Sequence, residues 1–320
     1  MRERVMNKAL ELLANGTVDR VMGWKRGEFC YDLTPAVFET KEEIEKYFVF
    51  DCFCGANLSK YCIAQSAKGG KIAVFLKPCD SLSFQQLLKE HRIARENVYI
   101  VGITCDGMCD PQKLGDGVLS YKEEGESLIL ETLYEEKAVS RDALLLERCK
   151  VCKSKDIVIF DELLGEQKDM AVADRFEEVA KLEEMTSEER FAFWRKELSR
   201  CIRCNACRNV CPACSCVKCV FDNADSGVRN KAAADSFEEN MFHIIRAFHV
   251  AGRCTDCGEC SRVCPQNIPL HLLNRKFIKD INELYGTYQA GADMESKSPL
   301  TDFTYDDCEA SIVHERGGKA

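Results

Sequence analysis

The sequence predicts an α+β multidomain protein, in which an N-terminal α/β sheet domain precedes a helical, cysteine-rich domain. Strand-like and helix-like patterns alternate as far as about residue 170. Beyond that point the strand pattern stops and helix-start signals take its place. We therefore expect an α/β domain at 1–180, a helical domain at 181–286 and an extended tail at 287–320.

The α/β domain is indicated by short apolar runs separated by helical segments. The run KIAVFL is typical of a buried strand, and a helical stretch from Leu82 to Arg95 follows it. The run NVYIVGI indicates a second strand of the same kind. The predicted strands of this domain are 71–76, 97–103, 117–121, 128–134 and 156–160.

The helical domain carries three helix signals. Thr186 begins TSEE and Ser236 begins SFEE, and both are capping boxes ahead of apolar runs. Pro269 opens a third helix, which ends at Gly286. The first two helices each lead directly into a cysteine motif.

The amino-acid composition excludes some classes of binding partner. The chain has 320 residues, of which 46% are apolar and 30% charged, and its net charge is −9. It lacks the basic footprint that nucleic acid binding requires. No apolar run approaches the roughly 20 residues of a membrane helix, and the N-terminus lacks the apolar segment of a signal peptide. We therefore expect a cytoplasmic protein that binds no nucleic acid and does not insert into membranes.

The cysteine content is unusually high. The chain has 21 cysteines and only 5 histidines. A reducing cytosol disfavours a disulfide framework, so the thiols point to metal. Thiolate-rich sites select soft metals, which means zinc or iron–sulfur clusters.

Two cysteine runs share one spacing, C-x2-C-x2-C-x3-C followed by proline. This is the signature of bacterial two-cluster ferredoxins, in which the fourth cysteine of each run binds the other cluster. We therefore expect two 4Fe–4S clusters. Their predicted ligands are Cys201, Cys204, Cys207 and Cys264 for cluster 1, and Cys254, Cys257, Cys260 and Cys211 for cluster 2.

Zinc is the alternative for these cysteines, because it also accepts four thiolates. Structural zinc sites usually pair two CxxC units rather than chaining three cysteines, so the spacing favours clusters. Five arginines lie beside the motifs and can offset the negative charge of thiolate-bound clusters. They are Arg200, Arg203, Arg208, Arg253 and Arg262.

The linker between the two motifs is long and contains a helix. Residues 185–285 therefore resemble the α-helical ferredoxin domain of respiratory iron–sulfur subunits. The resemblance implies an α-helical 4Fe–4S dicluster ferredoxin domain behind the α/β sheet domain.

Further cysteines follow the first motif directly. Cys214, Cys216 and Cys219 supply three possible ligands to an additional cluster or to zinc. A fourth ligand would come from Cys308 or from the first domain. The alternative is that these are reduced thiols packed around the first two clusters.

A second group of cysteines lies at or near strand ends of the α/β domain. Ligands bind beyond the carboxyl ends of strands in open α/β sheets, so these side chains could converge on a cluster or zinc. The alternative is that they are buried thiols acting as small apolar groups. The group comprises Cys79, Cys105, Cys149 and Cys152, with Cys109 nearby, whereas Cys52, Cys54 and Cys62 show no recognised ligand spacing.

The order of these motifs carries a family resemblance. PCD, a strand ending in cysteine, then CKVC ahead of DELLG resembles the iron–sulfur beta subunits of deazaflavin-reducing hydrogenases and dehydrogenases. Beta subunits of soluble sulfhydrogenases and the A subunit of anaerobic sulfite reductase are similar. The resemblance implies that the four strand-end cysteines ligate a further 4Fe–4S cluster, and that some relatives bind a flavin such as FAD. In this chain the ferredoxin part follows the α/β domain.

The leading hypothesis is an iron–sulfur electron-transfer subunit of a larger anaerobic oxidoreductase. Two complete cluster motifs occur without a nucleophile elbow, a Walker loop or a GxGxxG turn, so no catalytic residue is identified. The expected partners are a flavoprotein and a catalytic subunit of hydrogenase, formate dehydrogenase or heterodisulfide reductase type. One alternative is a flavin- or deazaflavin-dependent enzyme with its active site in the α/β domain. Another is a zinc-binding scaffold.

Overall fold

A computed structural model describes residues 1–153, 156–167, 174–223 and 236–302, with the side chains of 236–239 left out. The chain divides into two compact units. The first, here called the sheet unit, comprises Met1–Leu82 and His91–Asp174. The second, the helical unit, comprises Ser83–Glu90 and the chain from Arg175 onward.

The sheet unit contains the described strands of the chain. Its helices are α1 (Arg2–Ala14), α2 (Lys41–Tyr47), α3 (Ser59–Ser66), the start of α4 (Pro78–Lys89), α5 (Arg141–Leu144) and α6 (Glu147–Lys150). Its strands are β1 (Arg20–Arg26), β2 (Leu33–Phe38), β3 (Phe48–Val49), β4 (Ile72–Leu76), β5 (Val98–Ile103), β6 (Val118–Glu124), β7 (Ser127–Thr132), β8 (Glu136–Ser140) and β9 (Glu162–Leu164).

The main sheet has the order β2-β1-β4-β5-β9, and β3 also pairs with β1. Strands β1, β4, β5 and β9 run parallel, whereas β2 and β3 are antiparallel to β1. All residues of β4 are buried, which explains why this parallel strand is a continuous apolar run. A separate antiparallel sheet has the order β6-β7-β8.

Two predicted elements differ from the structure. The strand predicted at 156–160 is wrong, since β9 begins only at Glu162. Ile157 instead packs its side chain over Gly102, where a Cβ atom would lie 3.1 Å from Ile157 Cδ1. The helix predicted from Leu82 begins earlier, at Pro78, because proline suits the first helical position.

The helical unit consists of short helices joined by cysteine loops. They are α7 (Glu177–Glu183), α8 (Ser187–Ser199), α9 (Ala206–Val210), α10 (Ser236–Val250), α11 (Glu259–Arg262) and α12 (Leu270–Tyr285). The Thr186 capping box is confirmed: Thr186 Oγ1 accepts the Glu189 N–H at 3.2 Å, and Glu189 Oε2 accepts the Thr186 N–H at 2.9 Å. The side chain of Ser236, the second predicted cap, lies outside the described residues.

The segment after α12 packs onto the helical unit. Tyr288 donates its hydroxyl to the Gly252 carbonyl at 3.0 Å, and Ala290 is buried. The rest of the predicted tail, 303–320 with Cys308, lies outside the described residues. Within the described part of the chain, no helix is long and apolar enough to cross a membrane.

Candidate iron–sulfur site

The two cysteine motifs of the helical unit fold into loops of the same geometry. In the first loop the Arg203 N–H donates to Cys201 Sγ at 3.3 Å. In the second the Asp256 N–H donates to Cys254 Sγ at 3.4 Å. Hydrogen bonds of this kind stabilise a thiolate, and around iron–sulfur clusters they tune the reduction potential.

Left-handed residues produce these loops. Arg203 and Asp256 have φ values of 53° and 54°, and Asn205 and Gly258, two residues further on, have 62° and 66°. Non-glycine residues seldom adopt this conformation, and it costs free energy. The two motifs therefore share the same left-handed backbone conformation as well as the same sequence spacing. Each loop leads into a short helix, α9 or α11.

The first group of sulfurs combines both motifs. Cys201, Cys204, Cys207 and Cys264 line one small cavity, together with Phe242 and His243 from α10. Cys207 and Cys264 are buried, whereas Cys204 is exposed. These four cysteines are the set that the spacing predicts for cluster 1.

The second group gathers around Cys211, which closes the first motif. Burial raises the pKa of Cys254 to about 12, with added repulsion from Asp256 and from Cys211. Burial and the nearby Cys211 also raise the pKa of Cys257 and of Cys260. Cys211 thus lies with the first three cysteines of the second motif, as the predicted set for cluster 2 requires.

The donor chemistry of both groups suits a cluster. Burial raises the pKa of Cys207, Cys254, Cys257 and Cys260, so a metal must displace the protons of these thiols on binding. No three His, Cys, Asp or Glu side chains in the described part of the chain are close enough to hold a single metal ion. A cubane differs from an ion because each thiolate binds a separate iron corner.

The cysteines that follow the first motif have separate neighbours. Cys214 donates its N–H to the Cys211 carbonyl at 3.1 Å, and its thiol raises the pKa of Cys211. Cys216 is exposed, and Cys219 lies beside Arg208. Cys308, their proposed fourth partner, lies outside the described residues.

Two of the cysteines in the sheet unit, Cys105 and Cys149, accept hydrogen bonds from adjacent residues. Cys105 Sγ accepts the Gly107 N–H at 3.4 Å, and Cys149 Sγ accepts the adjacent Met108 N–H at 3.4 Å. Gly107 has φ 99°, and a Cβ atom there would lie 2.8 Å from a Leu145 methyl. The Cys105 turn therefore repeats the N–H to sulfur pattern of the two ferredoxin-type loops.

A buried lysine, Lys77, connects this cysteine group to the start of α4. The buried Lys77 ammonium lies 2.8 Å from the Asp80 carboxylate, and Cys79 and Cys105 are both among its charged neighbours. Burial raises the pKa of Cys79, while Arg148, Lys77 and Lys153 lower it. Cys152 follows the end of α6. The three cations favour a thiolate, but burial and the Asp80 carboxylate outweigh them, so the pKa of Cys79 lies well above its usual value.

The remaining buried cysteines bond within the sheet unit. Cys54 Sγ accepts the Asp51 N–H at 3.3 Å, and the Cys62 thiol donates to the Leu58 carbonyl at 3.7 Å. Cys52 hydrogen-bonds Cys109, which raises the pKa of Cys52 and lowers that of Cys109. These contacts are those of packed thiols.

Beyond the carboxyl end of β5 lies a cavity of about 520 Å³. Its walls include Cys105, Cys52 and Tyr121, with charged side chains of both signs. The Arg141 guanidinium reaches the wall and donates to the Gly107 carbonyl at 3.0 Å, while its buried Nε has no hydrogen-bond partner within the part of the chain that the structure describes. This volume falls within the usual range for small-molecule and cofactor sites.

Comparison with known proteins supports the assignment of the cysteine loops. A family model described as a 4Fe-4S dicluster domain matches residues 197–268. The beta subunit of an F420-dependent formate dehydrogenase from Methanocaldococcus jannaschii is 28% identical, over 90% of this chain and 91% of that protein. The chain is therefore similar to the iron–sulfur beta subunits of these dehydrogenases. The beta subunit of F420-dependent formate dehydrogenase 1 from Methanococcus maripaludis is 25% identical, over 90% of both chains.

This iron–sulfur electron-transfer subunit therefore carries 4Fe–4S clusters, and the predicted fold class and family resemblance are confirmed. Among solved structures, a chain of the F420-reducing NiFe hydrogenase complex from Methanosarcina barkeri matches with a TM-score of 0.37 and 18% identity. That match covers 49% of this chain and 63% of the other.

The arginines predicted to offset cluster charge mostly pair with other groups of this chain. Arg253 contacts the Glu90 carboxylate at 2.5 and 2.8 Å, and Arg262 contacts Glu259 at 2.7 Å. Arg208 contacts Asp222 at 2.8 Å, Arg200 contacts Glu197, and Arg203 lies 4.1 Å from the Phe242 ring centre.

Residues outside the motifs also reach the sulfurs. His243 Nε2 lies 3.3 Å from Cys201 Sγ, and Asn274 donates to Cys260 Sγ at 3.7 Å. Burial, with Arg246 and Arg203 nearby, lowers the pKa of His243 to about 3, so its ring is neutral. Sequence analysis missed these contacts. The available signal was a polar side chain within the apolar run of a helix, MFHIIRAFHV.

Proposed function

We propose that this beta subunit relays electrons through two 4Fe–4S clusters in its helical unit. Cluster 1 would be held by Cys201, Cys204, Cys207 and Cys264, and cluster 2 by Cys254, Cys257, Cys260 and Cys211. One observation supports the proposal most directly: Cys264, the last cysteine of the second motif, lines one cavity with Cys201, Cys204 and Cys207, and Cys254 packs against the hydrophobic cluster that contains Cys211. This exchange joins the two loops into one compact electron path.

Bound clusters supply one-electron transfer, and the chain supplies their setting. Cys204 is exposed, whereas Cys257 and Cys260 are buried. Backbone N–H groups of Arg203 and Asp256 stabilise the thiolates. The exposed side of Cys204 is the natural point for exchange with a partner protein.

The relatives favour one class of complex. Both curated relatives are beta subunits of F420-dependent formate dehydrogenases, and this chain covers about nine tenths of each. We therefore favour a formate dehydrogenase-type catalytic subunit over a hydrogenase or heterodisulfide reductase type. The other partner would be a flavin-containing protein that exchanges hydride for single electrons.

Serine substitution tests the relay in the assembled complex. Cys204→Ser and Cys257→Ser should each remove about four irons per chain and abolish formate-dependent reduction of F420. Cys30→Ser is the matched control, because Cys30 is a half-buried cysteine outside every motif. If turnover survives either motif substitution, electrons do not pass through these clusters.

A third cluster in the sheet unit is a further part of the proposal. Its ligands would be Cys79, Cys105, Cys149 and Cys152. The Gly107 N–H to Cys105 bond and the cationic neighbours of Cys79 support it. Cys105→Ser should then lower the iron content by about four per chain. An unchanged iron content would leave these cysteines as packed thiols.

The cavity at the end of β5 favours a second candidate function, a flavin- or F420-dependent active site in the sheet unit. Cys105 lines this cavity, and the unpartnered Nε of Arg141 could bind an anionic group of a cofactor. Flavin in an acid extract of the wild-type protein, lost in Arg141→Gln, would support this function. Extracts free of flavin that also show no F420 binding would reject it.

A further inference from the structure

Arg246 is a buried arginine of the helical unit whose side chain has no hydrogen-bond partner among the described residues. It lies on α10, and only 1% of its surface is exposed. None of its three side-chain nitrogens, Nε, Nη1 and Nη2, has a hydrogen-bond partner among the described residues. Burying an unpaired guanidinium costs free energy. Its five N–H donors therefore require a group that accepts hydrogen bonds from them and offsets this cost.

The charged neighbours of Arg246 are sulfurs from both groups. Burial lowers the pKa of Arg246, but Cys260 and Cys207 outweigh that effect and raise it, and Cys211 adds to the increase. Cys207 belongs to the predicted set for cluster 1, whereas Cys260 and Cys211 belong to the set for cluster 2. One guanidinium therefore lies within electrostatic reach of both sets.

The other polar side chains near the sulfurs each lack one or more of the properties that Arg246 combines. Arg253 and Arg262 have carboxylate partners, which neutralise much of their charge. His243 is neutral and contacts Cys201 of the first group alone. Arg246 thus combines full burial and an uncompensated charge with access to both groups.

We propose that Arg246 is a shared positioning residue for the two clusters, donating N–H bonds to their sulfurs and raising both reduction potentials. The inference rests on the proposed function, since it assumes that both sulfur groups hold clusters. Reduction adds negative charge to a cluster, and a fixed cation in a low-dielectric interior stabilises that form. Hydrogen bonds to sulfur act in the same direction.

The test is a redox titration, followed by EPR, of the full-length wild-type, Arg246→Met and Arg246→Lys proteins. Arg246→Met should lower both midpoint potentials by about 59 mV, which for a one-electron couple corresponds to a tenfold change in the equilibrium constant. Arg246→Lys keeps the charge but loses the planar set of donors, so both potentials should fall by less. Arg195→Met, at an exposed position on α8, should leave both potentials unchanged.

Iron analysis separates failure of this inference from failure of the proposed function. Wild-type protein with fewer than about eight irons per chain would contradict the two-cluster proposal itself. Fully loaded Arg246→Met with unchanged potentials, or with only one potential changed, would overturn the shared role of Arg246.

A second measurement does not depend on how well Arg246→Met folds. Wild-type protein labelled with 15N in its arginine guanidinium groups should show nitrogen couplings to the reduced clusters. Those couplings should be lost in Arg246→Lys. Spectra that are identical in the two proteins would overturn the inference, even if Arg246→Met cannot bind iron.

Discussion

His243 shows how a single side chain can affect one cluster. Its Nε2 lies 3.3 Å from Cys201 Sγ, and its low pKa keeps the ring neutral. The tautomer with hydrogen on Nε2 would donate one bond to the Cys201 thiolate, and one bond contributes about 1 kcal/mol. The contact involves a cysteine of the first group only.

Replacing His243 should therefore change one potential. We predict that His243→Leu lowers the midpoint potential of cluster 1 by about 40 mV, the one-electron equivalent of one hydrogen bond, and leaves cluster 2 unchanged. His249→Leu is the matched control, because His249 is exposed on the same helix. Equal shifts of both potentials, measured by EPR-monitored titration, would refute the local role of His243.

Sequence and structure agree most closely at the scale of single cysteines. The ferredoxin pattern predicts that Cys264 groups with Cys201 and Cys211 with Cys254; Cys264 lines the same cavity as Cys201, and Cys254 packs against the hydrophobic cluster that contains Cys211. The spacing could not identify Arg246 or His243. Both are distant in sequence from the cysteines they approach, and only the packing of α10 brings them there.

At the scale of elements, the second half of α4 belongs to the helical unit. Residues Ser83–Glu90 group with the chain from Arg175 onward, and Glu90 Oε2 and Oε1 accept bonds from Arg253 at 2.5 and 2.8 Å. Ser83 shares a hydrogen bond of 2.8 Å with Thr255 in the second cysteine loop. The Glu90–Arg253 pair thus ties α4 to the end of α10.

We predict that Glu90→Gln lowers the free energy of unfolding by about 1.5–3 kcal/mol, as expected for a charge-assisted hydrogen bond. Glu177→Gln is the control, because its ion pair with Lys181 is exposed and screened by solvent, so its loss should change the free energy of unfolding much less. Anaerobic urea denaturation followed by circular dichroism measures both. Equal effects of the two substitutions would show that Glu90 is no more than a surface partner.

The pH dependence of this pair has a definite sign. Burial raises the pKa of Glu90, but Arg253 outweighs burial and lowers it below the usual 4.5. The contribution of the Glu90–Arg253 pair to the free energy of unfolding is then fully present above about pH 4.5 and is lost as the pH falls through the lowered pKa of Glu90. The difference in the free energy of unfolding between wild type and Glu90→Gln should therefore be the same at pH 6 and pH 8.

Prediction of elements from the sequence succeeded where the local pattern was strong. The strands β4 and β5 are buried apolar runs, and the Thr186 capping box marks the start of α8. The strand predicted at 156–160 failed because an apolar run can pack on a sheet without pairing with it, as Ile157 does over Gly102. The division of α4 could not be predicted, since its helical pattern is continuous.

At the scale of the whole molecule, the chain combines two kinds of site. The helical unit carries the two cysteine motifs for which we propose interchanged fourth ligands, and in the sheet unit Cys105 lines a cavity of about 520 Å³. Both units use the same device, a backbone N–H two residues beyond a cysteine that donates to its sulfur. An electron-transfer subunit needs this arrangement of several sites in one chain.

The iron content and reduced-state EPR spectrum of the anaerobically purified full-length chain test this account most directly. We predict at least about eight irons per chain, and about twelve if the sheet unit also holds a cluster. Two of the reduced centres should broaden each other's signals because their ligand sets interlock. Fewer than about eight irons, or zinc in their place, would contradict the two-cluster relay.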